Sequence, residues 1–216
     1  MAFDDAYATL AEYQARTNKN SSADSATVEA LLDAVSRFFD SRCRRRDGFN
    51  LSDAVEARVY DAAVDNEGRL WLPDDVATAT GLVVKVDLNA DYDYADTDEQ
   101  LTIDVDFWIG PYNAAKGTEK RPYEWLRVHP NSTKLSAWPE QERAVEVTAK
   151  YGWPAVPGAI KEAVVAVTRS LVDLQVSGGA LTLQDIEQAV TIDPKLSFLV
   201  KDIERQYKRP TALGGF

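Results

Sequence analysis

The spacing of the hydrophobic residues changes twice along this chain of 216 residues, and that change limits the possible folds more than any other feature. Near the N-terminus the apolar residues recur every three or four positions, as on one face of a helix: Val28, Leu31, Leu32, Val35, Phe38 and Phe39. In the middle they alternate with polar residues, as in a strand with one buried face, most clearly at Leu101, Ile103, Val105 and Phe107. After Pro157 the helical spacing returns, at Ile160, Ala163, Val164, Val167, Leu171 and Leu174.

This order predicts an α+β protein, in which N- and C-terminal helices form one bundle and an antiparallel β module is inserted between them. Shorter alternating runs, including Val55, Ala57 and Val59, indicate further strands of that module. We assign residues 1–50 and 155–207 to the helical body and residues 51–154 to the β module. Residues 208–216 lack periodicity and end in an aromatic residue, so we expect a C-terminal arm that becomes ordered on a partner.

The charge balance argues against a protein that reads DNA. Asp and Glu number 35 against 24 Lys and Arg, so the formal charge is -11 and the average surface repels phosphate. The single cysteine, Cys43, cannot form an internal disulfide, and the opening residues lack the basic start and apolar run of a secretory signal. No apolar window approaches the roughly 18 residues of a membrane-spanning helix. We therefore expect a soluble protein that folds in a reducing cytoplasm.

The residues that most often carry catalysis have no partners at suitable spacing. Cys43 lies among arginines that could lower the pKa of its thiol, but it also continues the apolar stripe of the preceding helix, which favours packing. His129 has no histidine, cysteine or carboxylate nearby at metal-ligand spacing. The sequence contains no phosphate-binding glycine loop, nucleophile elbow or paired zinc motif. We predict that the protein is not an enzyme and uses no metal or cofactor.

An acidic run in the β module resembles a calcium-binding loop at first sight, because oxygen ligands at alternate positions suit a hard cation. It lacks a central glycine and a glutamate at the proper distal spacing. The run comprises Asp87, Asn89, Asp91, Asp93, Asp96, Asp98 and Glu99. We interpret it as the solvated tip of a hairpin. We expect the acidic stretch from Asp87 to Asp106, including Asp91, Asp93, Asp96 and Asp98, to face water or a partner instead of packing inside the helical body, because unpaired carboxylates are costly to bury.

Two groups of residues, each rich in cations, are candidates for protein contacts. The first closes the second predicted helix and consists of Arg42, Arg44, Arg45 and Arg46. In so acidic a chain we interpret it as a docking surface for a negatively charged neighbouring subunit. The second group accompanies the C-terminal arm, where apolar anchors could fill pockets while cations set the register: Arg205, Lys208, Arg209, Leu213 and Phe216.

Residues 144–157, AVEVTAKYGWPAVP, resemble the signature of the head-to-tail connector (adaptor) proteins of long-tailed phages. In that family a strand of the form V-x-V-T leads through Gly-Trp-Pro and Val-Pro into a helix. Here Gly152 permits the corner, Trp153 and Pro154 form it, and Pro157 starts the helix. The similarity extends over about residues 7 to 175 and includes the segments 7–16, 40–45, 58–60, 70–73, 83–88, 111–114 and 122–123.

The resemblance implies a structural virion protein, a subunit of a ring that is dodecameric in relatives. Such a ring lies under the portal protein in the neck, joins capsid to tail, and receives stopper or tail-completion proteins. It is assembled in the cytoplasm of the host bacterium, and genome DNA passes through it without specific binding. The cationic groups would then contact the portal or an adjacent subunit, and the exposed aspartates would face the channel or the tail. Two alternatives remain open: a neighbouring neck protein, such as a stopper or tail-completion protein, and a calcium-dependent binding module.

Overall fold

The computed structural model describes residues 6–18, 25–173 and 183–210. They form two compact units, one from the two ends of the chain, up to Asn50 and from Val156 to Arg209, and one from Leu51–Ala155. The predicted α+β class is confirmed, because helices from both ends of the chain pack together and antiparallel sheets occupy the middle. None of the described helices is both long and apolar enough to cross a lipid bilayer.

The helical unit is organised around its second helix. Its elements are α1 (Leu10–Thr17), α2 (Ser25–Cys43), α3 (Gly158–Asp173), α4 (Leu183–Ile192) and α5 (Pro194–Tyr207). Each of the other four helices packs against α2. The apolar stripes predicted from the sequence form the core, which includes Leu32, Val35, Phe39, Ile160, Val164, Val167, Val200 and Ile203. Burial of these side chains, at about 25 cal/mol per Å² of apolar surface, is the main stabilising term of the bundle.

The N-terminal segment is held by polar bonds as well as by packing. In α1, Thr9 and Glu12 form a capping box: Glu12 N–H donates to Thr9 Oγ1 at 3.2 Å, and Thr9 N–H donates to Glu12 Oε2 at 2.8 Å. Just before it, the buried phenol of Tyr7 donates to Asp40 Oδ1 and accepts the Phe49 N–H at 2.7 Å. Burial raises the pKa of Asp40 to about 6, although the bond from Tyr7 acts in the opposite direction.

The β unit contains two antiparallel sheets that share one core. The first has the strand order β1-β7-β3-β4 and the second the order β2-β6-β5. The strands are β1 (Glu56–Tyr60), β2 (Arg69–Val76), β3 (Val83–Val86), β4 (Gln100–Leu101), β5 (Phe107–Gly110), β6 (Tyr123–Val128) and β7 (Val145–Ala149). Alternate residues of these strands form the core, among them Leu70, Leu72, Val84, Val86, Phe107, Leu126, Val145 and Val147. For most strands, the alternation of apolar and polar residues in the sequence therefore identifies correctly the face that packs against the core.

The clearest alternating run of the sequence is not one strand, contrary to the prediction. Leu101 and Phe107 are buried, but Ile103 and Val105 between them are exposed. The chain turns here instead of extending, because the buried carboxylate of Asp106 accepts the Thr102 N–H at 2.9 Å. A carboxylate that satisfies a turn in this way separates β4 from β5.

We expect the stability of the protein to depend on the ionisation of Asp40. Because its folded-state pKa is raised, the folded protein keeps this proton while the unfolded chain releases it, and rising pH between about 4 and 6 favours unfolding. The free energy of unfolding of the protein, relative to that of Asp40→Asn, should fall by up to about 3 kcal/mol between about pH 4 and pH 7. Urea denaturation at several pH values measures it. Glu29→Gln removes a charge from the same helix and serves as the control. Parallel curves of unfolding free energy against pH for the protein and Asp40→Asn would contradict the prediction.

A second prediction concerns close packing in the β unit at Gly110. A β-carbon on this residue would lie 2.0 Å from Cζ2 of Trp125 on the neighbouring strand. Gly110→Ala should lower the free energy of unfolding by about 1–3 kcal/mol, since the ring must move. Gly158→Ala is the matched control, because a β-carbon at the start of α3 meets nothing within 4 Å and should be neutral or stabilising by up to about 1 kcal/mol. Equal effects of the two changes in urea denaturation would contradict this account.

Candidate functional site

The corner motif closes the β unit. Gly152 has a φ of 93°, in the left-handed region that favours glycine, and its N–H donates to the Asp75 carbonyl at 2.8 Å. Trp153 is buried, and its Nε1–H donates to Asp75 Oδ2 at 3.2 Å. The prediction that glycine permits this corner and that tryptophan holds it is confirmed. Pro154, which follows, is partly exposed.

Pro157 lies one position earlier than we predicted. The helix α3 begins at Gly158, and the Pro157 carbonyl accepts the Lys161 N–H at 3.1 Å. Pro157 is therefore the capping residue of α3 and not part of its first turn. Its fixed φ still orders the approach of the chain to the helix.

A buried acidic group determines which face of β1 points inwards. Asp74 Oδ2 accepts the Tyr60 hydroxyl at 2.8 Å and lies 3.1 Å from Arg58 Nη1. The Arg58 guanidinium also lies over the Tyr151 ring, 3.9 Å from its centroid. Burial raises the pKa of the Tyr60 hydroxyl, so it stays a donor. Arg58 and Tyr60 point inwards because their partners lie there.

The apolar residues of β1 consequently point outwards. The predicted strand is present, but it begins at Glu56, after Val55, and Val55, Ala57 and Val59 are all exposed, Val55 at 52% and Val59 at 38% of their surface. Apolar positions on the open face of an edge strand are candidates for contacts with another chain. Sequence periodicity alone could not find this surface, because it does not say which of two faces is buried.

The four clustered arginines have different environments. Arg45 is only 6% exposed, and its Nε–H and Nη2–H donate to the Tyr207 carbonyl at 3.0 and 2.8 Å. It closes the end of α5 and cannot belong to an exposed docking surface, so that part of the prediction is wrong. Arg42 lies 2.5 Å from Glu204 and 3.7 Å from Glu187. Arg44 and Arg46 are exposed, and for them a contact role stays a prediction.

The beginning of the predicted C-terminal arm belongs to the helical unit. Lys208 caps α5, with its N–H donating to the Glu204 carbonyl, and the Arg209 N–H donates to the Cys43 carbonyl at 2.9 Å. Arg205 is exposed and pairs with Asp202 at 2.5 Å. The predicted anchors Leu213 and Phe216 lie outside the described residues. The four aspartates predicted to be exposed, Asp91, Asp93, Asp96 and Asp98, are exposed.

Two other acidic residues of the loop, Asp87 and Glu99, are buried and shape it, so the predicted exposure does not hold for the whole stretch from Asp87 to Asp106. Asp87 accepts the Ala90 N–H at 2.7 Å and the Tyr92 N–H at 3.0 Å, and Glu99 accepts the N–H groups of Leu88 and Asp96 at 3.3 Å. Ala90 and Tyr92 take left-handed φ values of 62° and 65° without glycine. These bonds fix a loop whose tip carries the exposed aspartates.

Three carboxylates of the loop lie close enough to share a cation. One oxygen from each of Asp87, Asp91 and Glu99 lies within 4.8 Å of the others. Oxygen ligands of this kind suit Ca²⁺. The oxygens of Asp87 and Glu99 already accept backbone N–H groups, and burial raises the pKa of Glu99. Hydrogen bonding within the loop accounts for both buried side chains.

Cys43 and His129 have structural surroundings. Cys43 is fully buried, which raises the pKa of its thiol to about 12, and its predicted packing role is confirmed. His129 Nδ1 accepts the Asn131 N–H at 3.0 Å, and its ring packs edge-on against Trp108 with centroids 4.5 Å apart.

Two large apolar side chains of the helical unit lie on its surface. Ile192 at the end of α4 is 66% exposed, and Phe198 on α5 is 75% exposed. The buried face of α5 carries Leu196 and Val200, and Phe198 lies midway between them, on the opposite face. A shallow groove of about 250 Å³ between α2, α4 and α5 is lined by both charged and apolar side chains, including Arg42, Glu187, Val200 and Lys201. Sequence reasoning missed Phe198, since we assigned only the buried face of its helix.

The buried and exposed aspartates of the loop should respond differently to the same change. Asp87→Asn replaces one of two acceptor oxygens with an amide that faces a backbone N–H, and should lower the free energy of unfolding by about 1–3 kcal/mol. Asp93→Asn keeps its single bond, from the Ala95 N–H at 2.9 Å, and should change it by less than about 0.5 kcal/mol. Urea denaturation compares the two. A large loss in Asp93→Asn, or none in Asp87→Asn, would contradict the roles assigned to these carboxylates.

The comparisons with known proteins do not assign a function, so the function is argued from the surfaces described above. Neither a scan against protein-family models nor a search of the curated proteins finds a match for this chain.

Proposed function

We propose that the protein is a structural subunit of a phage neck, a head-to-tail connector that forms a ring under the portal protein and joins capsid to tail. The observation that carries this proposal is the exposure of Phe198 and Ile192 on a helical unit whose core is otherwise well packed. Contiguous apolar surface marks contacts with other chains, and Phe198 and Ile192 are the large exposed apolar side chains in the described part of this unit. In an assembled ring such residues become buried between subunits or against the portal.

The local structure of the corner supports the same function. The segment that resembles the connector signature folds as the strand β7, a corner at Gly152 and Trp153, and a capping proline before α3. Gly152 and Trp153 hold the corner in the way the resemblance implies, and Pro157 caps the helix instead of standing in its first turn.

The distribution of charge supports a passage for DNA. The exposed aspartates Asp91, Asp93, Asp96 and Asp98 stand on a loop fixed by internal hydrogen bonds. A negative surface repels the phosphate backbone, so DNA can move past it without being held. The same surface could instead receive a basic patch of a tail-side protein.

The helical unit carries cations suited to the opposite kind of contact. Arg44, Arg46, Arg205 and Lys208 are exposed on it. Paired with acidic groups of the portal or of an adjacent subunit, they would orient the contact and increase its rate of formation more than its strength. The chain acts in this proposal by assembly, and needs no cofactor for it.

The proposal is tested by mixing the protein with the portal protein of the same virus and imaging the product by electron microscopy. A ring of additional density on the tail side of the portal is expected. Binding to tail proteins but not to the portal would instead favour a stopper or tail-completion protein. Assembly that is unchanged by EDTA, with no heat in a calcium titration, would exclude the calcium-dependent module; no binding to any neck protein would contradict the proposal.

We expect Phe198 to contribute strongly to this assembly. Phe198→Ser should weaken ring formation on the portal about tenfold or more, because a buried aromatic anchor is lost, while circular dichroism stays unchanged. Tyr112→Ser is the matched control, since Tyr112 is an aromatic residue of the β unit with the same exposure of 75%. Normal assembly of Phe198→Ser, measured by sedimentation with the portal, would show that this residue is not part of the contact.

A further inference from the structure

The strand β1 has an edge that no strand of the described part of the chain covers. It pairs with β7 from Glu56 opposite Ala149 to Tyr60 opposite Val145, and has no second strand partner among the described residues. An edge of this kind presents backbone N–H and C=O groups in the geometry that accepts another strand. Natural edges are usually blocked by lysine, proline or a bulge at such positions. The strand β1 contains no lysine or proline and pairs with β7 without a register shift, and its two charged residues are Glu56 and the inward-pointing Arg58.

The residues of this edge are self-complementary when read in opposite directions. The sequence from 55 to 59 is Val-Glu-Ala-Arg-Val: valines lie at equal distances on either side of Ala57, and the residues next to it carry opposite charges. If a second copy pairs antiparallel with Ala57 opposite Ala57, each Val55 lies opposite Val59 of the other copy and each Glu56 opposite Arg58. Directly opposed side chains in antiparallel pairs interact, and opposite charges and β-branched residues are favourable pairs.

The side-chain positions suit this pairing. Glu56 and Arg58 point to the same face, with Arg58 Nη2 3.0 Å from Glu56 Oε2. Arg58 also pairs with Asp74, so each Glu56 of two such strands would lie opposite an arginine that is already held in place. Ala57 and Val59 alternate with them on the other face and are exposed, as is Val55 just before the strand. Beyond these five residues, Asp53 would face Asp61, and like charges end the pairing.

We propose that two copies of this protein associate through β1, paired antiparallel about Ala57, so that the first sheet continues from one copy into the other. We assign a second copy to the edge because its β1, running antiparallel, presents Arg58 to Glu56 and Glu56 to Arg58. A two-fold contact is closed by its symmetry. This inference does not depend on the function proposed above, and its test needs no neck protein.

Disulfide trapping tests the register. In a Cys43→Ala background, Ala57→Cys should give a covalent dimer on mild oxidation, because opposed residues have Cα atoms about 4.5–5.5 Å apart, within disulfide reach. Val55→Cys is the matched control: its two copies would be separated by about 13 Å along the strands, and should not cross-link. The double change Val55→Cys and Val59→Cys should restore cross-linking. Cross-linking at residue 55 as fast as at residue 57 would overturn the proposed register.

Sedimentation velocity tests the contact without added cysteines. The unmodified protein should form a dimer, and Glu56→Arg should weaken it about tenfold or more, because it places arginine opposite Arg58 of the second copy twice. Glu140→Arg, a charge reversal at another exposed position of the β unit, should leave it unchanged. A monomer at every soluble concentration, or a dimer insensitive to Glu56→Arg, would overturn the proposal; circular dichroism of each variant verifies the fold.

Discussion

Two adjacent buried carboxylates in β2, Asp74 and Asp75, determine the arrangement of the β unit. Asp74 lies in the second sheet and bonds Arg58 and Tyr60 of the first, so it joins the two sheets. Asp75 bonds the indole of Trp153 through its side chain and the Gly152 N–H through its carbonyl. A buried carboxylate without such partners would cost several kcal/mol. The position of β1 and the shape of the corner both follow from this requirement.

The bonds of Asp74 to Arg58 and Tyr60 also explain why the protein has two different kinds of surface for assembly. With Arg58 and Tyr60 held inwards, the valines of β1 face out at an open edge, which suits a two-fold contact. A two-fold contact cannot continue around a ring, whereas a ring requires two different complementary surfaces on each subunit. The exposed Phe198 belongs to the helical unit and is available for the ring. Pairing through β1 would in addition cover an edge that otherwise invites aggregation.

How far the sequence predicts this structure depends on whether the partners of a residue are near or far along the chain. The capping box of Thr9 and Glu12 spans three residues, so the signal that starts α1 is contained in the local sequence. Arg45 looks like its three neighbours in the sequence, but the carbonyl that buries it belongs to Tyr207, 162 residues away. The inward face of β1 likewise depends on Asp74, and the Asp106 carboxylate between β4 and β5 is held by the Ser132 hydroxyl, 26 residues away. Patterns of spacing contain no information on such distant partners.

The acidic residues have two different roles, which depend on whether they are buried or exposed. Asp74, Asp75, Asp87, Glu99 and Asp106 are buried, and act as acceptors for backbone N–H groups, hydroxyls, an indole and a guanidinium. They add little to the surface potential. The exposed aspartates at positions 91, 93, 96 and 98 do, and the buried Asp87 and Glu99 hold their loop in one conformation. A fixed negative loop needs less ordering when a partner arrives than a flexible one, so more of the contact energy remains as affinity.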